Sequence, residues 1–259
     1  MKEFKEIKSK ENSLIKLTSS LQNSSKTRNE TGLFVLEGLR ICSDAFDNGI
    51  RFDKLIISNS AFSKYKNVLE QFSENSDESF IIPDTLFKKI SDTDTPQGIL
   101  AIAKRLKNSE NFDKKGRYIA LENLQDPSNL GAIARTAEAL GVSGLILSKG
   151  SCDPYSPKSL RASMGTLLRL PIYIFDNFIS DIKSLGLTTY ACVVDVTAKK
   201  INEISFANGC ALLIGNEGNG LTEETKINSD YCVTIPMLGK AESLNAAIAA
   251  SISAWEMMK

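Results

Sequence analysis

Histidine is absent from all 259 residues of this chain, and its absence excludes several kinds of catalytic site. Nucleophiles of the Ser-His-Asp or Cys-His type need an imidazole base, and histidine-ligated metal sites need an imidazole ligand. Any general base must therefore be Asp, Glu, Lys, Tyr, Arg, a water molecule or the substrate itself.

Long apolar runs and paired cysteines are also missing. No apolar run approaches the roughly 18 residues of a membrane span, and the charged start Met1–Lys8 does not resemble a secretory signal. The absence of a CxxC pair argues against a thiolate zinc site, so we expect no bound metal. We also expect a cytoplasmic protein without membrane association, with reduced thiols at Cys42, Cys152, Cys192, Cys210 and Cys232.

Neither sign of charge is in excess, since 31 basic residues balance 31 acidic ones. This balance excludes a basic footprint over the whole surface but leaves room for a local patch. Cations outnumber acidic residues before residue 30, between Lys2 and Arg28. A solvated helix and a contact with phosphate explain that asymmetry equally well.

A polar segment between Lys104 and Arg117 separates two parts of the chain. It predicts a domain at 1–104, a linker at 105–116 and a second domain at 117–259. In the first part, strand and helix patterns alternate, which predicts a small α/β sandwich. Its strand candidates are 34–37, 54–57, 80–82 and 99–103, and its helix candidates are 12–21 and 38–48.

The second part alternates more clearly, and its continuous apolar strands predict a parallel sheet with helices on both faces. The strand candidates are 118–121, 144–147, 170–173, 189–194, 211–214 and 231–235. The helix candidates are 130–140, 157–164, 178–185, 222–228 and 244–258.

The first motif that could carry chemistry is Asn129-Leu-Gly-Ala-Ile-Ala-Arg135, which follows a strand and a Pro/Ser/Asn turn. Asn129 fits the N-cap of the helix, because its side chain can accept a backbone N–H of the first turn. Arg135 stands among short apolar residues, which makes a merely solvated charge a poor explanation. A buried ion pair, an interface contact and a phosphate contact are all open for it.

Two further motifs follow apolar runs. Ile214-Gly-Asn-Glu-Gly-Asn-Gly-Leu221 lets backbone amides line a cavity, but it has neither the P-loop ending nor GxGxxG spacing. Glu217 is its only carboxylate. The third motif, from Ile235-Pro-Met to Ser243-Leu-Asn245, turns sharply and opens an alanine-rich helix. Helix capping explains Ser243 and Asn245 as readily as a functional role does.

Together these motifs resemble those of the SpoU (TrmH) family of RNA 2'-O-ribose methyltransferases, in the knotted SPOUT class. The resemblance covers essentially the whole chain, and its one departure is Ala246-Ala247, where Val-Ser is common. The N-terminal part is similar to the family's substrate-binding domain, which resembles ribosomal protein L30e. That similarity rests on Lys10-Glu-Asn-Ser-Leu-Ile-Lys16, Phe34-Val-Leu-Glu-Gly38 and Pro96-Gln-Gly98.

The resemblance implies an α/β trefoil-knot domain with a parallel sheet, an L30e-like α/β sandwich, S-adenosylmethionine as methyl donor and a homodimer formed by the C-terminal domain. The expected cofactor-binding residues are Leu213, Gly215, Ile235, Met237 and Leu244. The expected catalytic residues are Arg135, Asn129, Glu217, Ser243 and Asn245. Arg28, Arg40, Lys158 and Arg161 are the expected RNA contacts.

The implied reaction is in-line transfer of the methyl group to a ribose 2'-hydroxyl. A guanidinium stays protonated in proteins, so we expect Arg135 to clamp a phosphate and stabilise the developing alkoxide rather than act as the base. The layout with two domains favours ribosomal RNA, most of all 23S rRNA, over transfer RNA. A non-catalytic RNA-binding protein with the same fold is the main alternative, and a small-molecule enzyme that binds phosphate at the glycine-rich loop is a weaker one.

Overall fold

The computed structural model describes residues 3–106 and 112–259, which form two compact units. The first unit comprises Met1–Lys107 with Tyr155–Leu168, and the second comprises Asn108–Pro154 with Arg169–Lys259. The predicted domain limits, 1–104 and 117–259, stay a prediction. Part of the predicted linker, residues 107–111, lies outside the described residues.

The strands and helices follow one another in chain order as follows. The strands are β1 (Phe4–Glu6), β2 (Leu33–Glu37), β3 (Phe52–Ser58), β4 (Ser76–Ile82), β5 (Ile99–Lys104), β6 (Arg117–Leu121), β7 (Gly144–Ser148), β8 (Ile172–Phe175), β9 (Thr188–Cys192), β10 (Lys199–Lys200), β11 (Cys210–Ile214) and β12 (Tyr231–Thr234). The helices are α1 (Ser13–Asn23), α2 (Ser25–Thr31), α3 (Leu39–Asp47), α4 (Asn59–Lys64), α5 (Lys66–Glu74), α6 (Asp84–Ile90), α7 (Pro127–Leu140), α8 (Pro157–Ser163), α9 (Phe178–Ser184), α10 (Glu223–Asn228) and α11 (Ala246–Met258).

The first unit contains a mixed sheet in the order β1-β4-β3-β5-β2. β3 runs parallel to β4 and antiparallel to β5, and at least one helix lies between each pair of successive strands from β1 to β5. One face of the sheet packs against α1 and α6 through apolar residues such as Leu21, Ile56 and Phe87, which are almost completely buried. Asn12 caps α1, since its side chain accepts the N–H of Leu14.

Tyr155–Leu168 belongs to the first unit although it follows β7 in the chain. Its helix α8 packs on β2, and the rings of Phe34 and Tyr155 lie 4.9 Å apart. The guanidinium of Arg161 pairs with the Asp92 carboxylate at 2.7 Å. The sequence pattern had grouped this segment with the second domain, because alternation along the chain does not show which core a helix covers.

The second unit contains a sheet in the order β10-β12-β9-β11-β6-β7-β8, and every pairing between its strands is parallel. β7 and β11 are buried at every position, as expected of strands covered on both faces. The predicted α/β fold with a parallel sheet is confirmed. The two-residue strand β10 lies at the edge and had no apolar pattern that could predict it.

No helix within residues 3–106 and 112–259 is long and apolar enough to cross a membrane. All five cysteines are free thiols, and Cys42 and Cys210 are buried. Burial raises the pKa of the Cys210 thiol to about 11, so that this thiol stays protonated at neutral pH.

Candidate active site

The first motif begins where β6 ends and is built around the start of α7. Asp126, not Asn129, is the N-cap of α7, since its side chain accepts the N–H of Ser128 at 2.8 Å. The expectation that Asn129 caps the helix is therefore wrong: Pro127 starts the helix two residues earlier. Asn129 is buried in the first turn, and its amide is available for contacts with other segments.

The second motif forms a tight loop after β11. Asn216 and Gly220 pair through both of their backbone groups, and the Asn216 side chain accepts the N–H of Gly218. A Cβ atom on Gly215 would lie 2.0 Å from the carbonyl carbon of Gly220, so only glycine fits there. The loop is thus folded on itself, with Glu217 at its tip.

Glu217 joins the second motif to the first. Its carboxylate accepts the N–H of Gln125 at 3.1 Å, the N–H of Asp126 at 3.0 Å and the side-chain amide of Asn129 at 3.0 Å. Burial by itself would raise the pKa of this carboxyl, but the hydrogen bonds from Asn129 and from backbone N–H groups outweigh burial and lower the pKa. Glu217 is therefore an ionised side chain that is held in one place.

Asn245 brings in the third motif. Its Oδ1 caps α11 by accepting the N–H groups of Ala247 at 2.9 Å and Ile248 at 3.2 Å. Its Nδ2 donates to Oδ1 of Asn129 at 3.0 Å. A continuous chain of hydrogen bonds therefore runs from Asn245 through Asn129 to Glu217 and joins all three motifs.

Arg135 is exposed on α7 and makes no hydrogen bond or ion pair within the described part of the chain. Of the three explanations that the sequence offered for Arg135, the buried ion pair is therefore excluded. An interface contact and a phosphate contact stay open. Its neighbour Thr136 contacts Ser251 through the two hydroxyls at 3.0 Å, so Arg135 lies near the junction of α7 and α11.

A cavity of about 1000 Å³ lies at the carboxyl ends of β12, β9 and β11. Among the predicted site residues, it is lined by Gly215, Glu217, Ile235, Met237, Ser243 and Leu244. Leu213 does not line it and is fully buried in the core below. The cavity wall also carries the carboxylates of Asp195, Glu223 and Glu242, whereas Lys226 is its one lysine among the residues that the structure describes. Lys226 in turn pairs with Glu223.

The four expected RNA contacts belong to the first unit, but they differ in exposure. Arg40 and Lys158 are exposed, and Arg161 is exposed while paired with Asp92. Arg28 is 4% exposed, and its guanidinium donates to the carbonyl oxygens of Leu21 and Gln22 at the end of α1. Its position corrects the expectation that Arg28 contacts RNA, because the side chain closes a helix end instead.

Sequence reasoning overlooked two carboxylates that organise loops, Glu37 in the first unit and Glu122 in the second. Glu37 accepts hydrogen bonds from Gln22, Thr93 and the N–H of Asp92. Glu122 accepts three bonds from Thr222 and Thr225. Each stands at the end of an apolar strand, and a charged residue in that position was the signal available in the sequence.

Comparison with known proteins assigns the family. The model of the SpoU rRNA methylase family matches residues 116–255, and the model of the MRM3-like substrate binding domain matches residues 12–101. This chain therefore belongs to the SpoU rRNA methylase family. The predicted resemblance, the classification as a methyltransferase and S-adenosylmethionine as the family's methyl donor are confirmed.

Relatives match along nearly the whole chain. The 23S rRNA (guanosine(2553)-2'-O)-methyltransferase RlmP of Bacillus subtilis is 26% identical, over 98% of this chain and 99% of its own length. The 23S rRNA (uridine(2479)-2'-O)-methyltransferase of Streptomyces viridochromogenes is 29% identical, over 90% of this chain and 84% of its own length. The crystal structure of an AdoMet-bound rRNA methyltransferase from Sinorhizobium meliloti has a TM-score of 0.84 and 30% identity, with 98% of this chain and 97% of that one covered.

Proposed function

We propose that this protein transfers a methyl group from S-adenosylmethionine to a ribose 2'-hydroxyl of RNA, and that the RNA is 23S rRNA. The observation that carries the proposal is the hydrogen-bond chain Asn245–Asn129–Glu217, which joins three distant motifs beside one cavity. The similarity to two 23S rRNA 2'-O-methyltransferases extends over both domain matches, which favours a ribosomal substrate over tRNA. Such a substrate would place the protein in the cytoplasm.

The cavity fits the methyl donor in size and chemistry. Backbone groups at Gly215, Ile235 and Leu244, together with the Met237 side chain, would hold the adenosyl part, and Leu213 would support them from the core. The ionised carboxylates of Asp195 and Glu217 line the same wall and would favour a ligand that carries positive charge. S-adenosylmethionine would supply a methyl group that its sulfonium has already activated for transfer.

We assign to Arg135 the positioning of the RNA ribose that accepts the methyl group. Its guanidinium has no protein partner among the described residues, so it is available to a phosphate next to the target ribose. There it would orient the 2'-oxygen and stabilise the negative charge that develops on it. Asn129, Glu217 and Asn245 would hold the surrounding segments in place, and Ser243 would line the cavity beside them.

RNA recognition would fall to the first unit. Arg40, Lys158 and Arg161 offer exposed cations that can contact backbone phosphates. A chain with equal numbers of acidic and basic residues would bind through such a local patch.

We also propose a homodimer formed through the second unit, with a knotted chain path. Ile248, Ile252 and Trp255 are 52%, 39% and 56% exposed and follow one another along one side of α11. The knotted path is proposed from membership of the SpoU family, and in this structure α11 packs on β6, β11 and α7. A Trp255→Glu variant should be monomeric in light scattering, whereas a wild-type monomer would contradict the dimer.

The function is tested by incubating the protein with labelled S-adenosylmethionine and total RNA from cells that lack this gene. Label should enter the large ribosomal RNA at one linkage that resists alkali, because a methylated 2'-oxygen cannot attack the adjacent phosphate. Arg135→Ala should slow the labelling by about a hundredfold or more. Label in tRNA or on a base would contradict the proposed substrate or acceptor. Cofactor binding without label in any naked RNA would point to a ribosomal particle.

A further inference from the structure

Glu122 is a buried carboxylate for which the reaction proposed above gives no role. It follows β6 directly and is 5% exposed. Its carboxylate accepts the N–H of Thr222 at 2.8 Å, the Thr222 hydroxyl at 2.9 Å and the Thr225 hydroxyl at 2.6 Å. Both oxygens of this buried carboxylate accept hydrogen bonds, which offsets the cost of burying it. Loss of one of these partners would destabilise the folded protein.

The partners of Glu122 belong to the cavity wall. Thr222 is the N-cap of α10, where its hydroxyl accepts the N–H of Thr225. Leu221 directly before this cap, and Glu223, Lys226 and Ile227 within α10, all line the cavity. Glu122 therefore links the wall to the end of β6, a strand inside the sheet.

This contact completes the attachment of the glycine-rich loop. Near its start, Asn216 donates to the backbone oxygen of Asn123 at 2.8 Å, and at its tip Glu217 accepts from residues 125, 126 and 129. The far end of the loop, which leads into α10, meets the same segment of the chain through Glu122. The loop between Gly215 and Thr222 is thus held at its start, tip and end.

We infer that Glu122 is a positioning residue for cofactor binding, which acts through Thr222 and Thr225 on the wall formed by the glycine-rich loop and α10. The inference rests on the proposed function in that it takes this cavity as the site of S-adenosylmethionine. Glutamine keeps an acceptor for the Thr222 N–H, but it removes the negative charge, and its NH2 group would face the two threonine hydroxyls, which would then have to accept instead of donate. Aspartate keeps both acceptor oxygens and only shortens the reach.

The test measures the Kd for S-adenosylmethionine by calorimetry on the full-length protein, beside its thermal unfolding. Glu122→Gln should raise the Kd about tenfold, as expected from the loss of a hydrogen bond to a charged group. Glu122→Asp should recover part of that loss. Thr225→Val removes one hydroxyl at nearly constant volume and should raise the Kd about threefold. With saturating cofactor, kcat for methyl transfer should change much less than KM for the cofactor.

Glu37→Gln is the matched control, because it removes the corresponding carboxylate in the first unit. It should lower the unfolding temperature and leave the Kd for the cofactor unchanged. An unchanged Kd in Glu122→Gln, or the same change in Glu37→Gln, would overturn the inference. If Glu122→Gln does not fold, Thr225→Val decides the matter in the same assay. Lack of cofactor binding by the wild type would overturn the inference as well, whereas binding without methyl transfer to RNA would count against the proposed function alone.

Discussion

Glu37 and Glu122 place the same kind of side chain at equivalent points of two different units. Glu37 is the last residue of β2, and Glu122 is the first residue after β6. Each carboxylate gathers hydrogen bonds from a segment far away in the sequence. The bonds of Glu37 reach residues 91–93, next to the exposed ion pair of Asp92 and Arg161. Those of Glu122 reach the wall of a cavity of about 1000 Å³.

In both units a carboxylate at a strand end fixes a distant loop, but the two loops have different surroundings. In the first unit the fixed loop carries Asp92, which pairs with the exposed cation Arg161, and such a cation suits contact with a polyanion. In the second unit the fixed loop surrounds a space at the carboxyl ends of parallel strands, where α/β proteins bind small ligands. This difference supports our proposal that the first unit recognises RNA and the second binds the methyl donor.

The largest effect should come from replacing Arg135. A loss of methyl transfer in that variant would support a catalytic site in the second unit. Arg135→Ala should lower kcat for methyl transfer by about a hundredfold or more, because a charge that stabilises the developing alkoxide is lost. The Kd for S-adenosylmethionine should not change. Single-turnover transfer and calorimetry measure the two quantities. Arg135→Lys serves as a control, and full activity in that variant would count against a two-pronged phosphate clamp.

The next largest effect should follow from breaking the hydrogen-bond chain at its centre. Asn129→Ala leaves the Glu217 carboxylate and the Asn245 amide without their shared partner. We expect a loss of about 2 kcal/mol in the free energy of unfolding, measured by denaturant titration. Ser128→Ala, an exposed neighbour in the same helix, should change stability by less than about 0.5 kcal/mol. Equal stability of the two variants would show that the chain of bonds contributes little.

A smaller effect should distinguish RNA binding by the first unit from cofactor binding by the second. Arg161→Ala should weaken RNA binding and reduce the slope of log Kd against log salt by about one, as expected for one lost phosphate contact. The Kd for S-adenosylmethionine should stay the same. Lys66→Ala, which removes an exposed cation from α5, provides the control. A change in cofactor binding without a change in RNA binding in Arg161→Ala would contradict the assignment of RNA recognition to the first unit.

The smallest effect concerns pH. The pKa of Glu217 is lowered in the folded protein from an ordinary value of 4.5. Its contribution to stability is therefore complete above that value and is lost as pH falls through the lower folded pKa. The unfolding temperatures of wild type and Glu217→Gln should converge as pH falls below about 4.5. A constant difference between them at every pH would show that the charge of Glu217 plays no part.

Much of the fold was predictable from local pattern. β6, β7, β11 and β12 were found because strands of a covered parallel sheet are continuous apolar runs. The helices α2, α4, α5 and α6 were missed because their six to nine residues are too few for a clear helical period, and they lie in the first part of the chain. The equally short α8, α9 and α10 were predicted, because they lie in the second part, where strands and helices alternate more clearly. β1 was missed because three residues at a sheet edge, paired only with β4, have no pattern of their own.

The candidate site was predictable in its residue types but not in its contacts. Asn129, Glu217 and Asn245 stand in recognisable motifs, and the sequence offered both helix capping and a catalytic role for Asn129. It did not predict the bond from Asn129 to Glu217 that the structure shows. Arg28 resembled the other exposed cations, although the end of α1 buries it. No role could be predicted for Glu122, because its threonine partners lie 100 and 103 positions away.

The sequence by itself determined the family, the parallel sheet and the absence of histidine chemistry, since these follow from motifs, apolar runs and composition. Only the tertiary structure decided which carboxylate meets which loop, which cation is exposed and where the cavity lies. The physical reason is that hydrogen bonds and burial depend on the distance between atoms in the folded chain. Folding brings Asn129, Glu217 and Asn245 within 3.0 Å of one another in successive pairs, although 88 and 116 positions separate Asn129 from the other two.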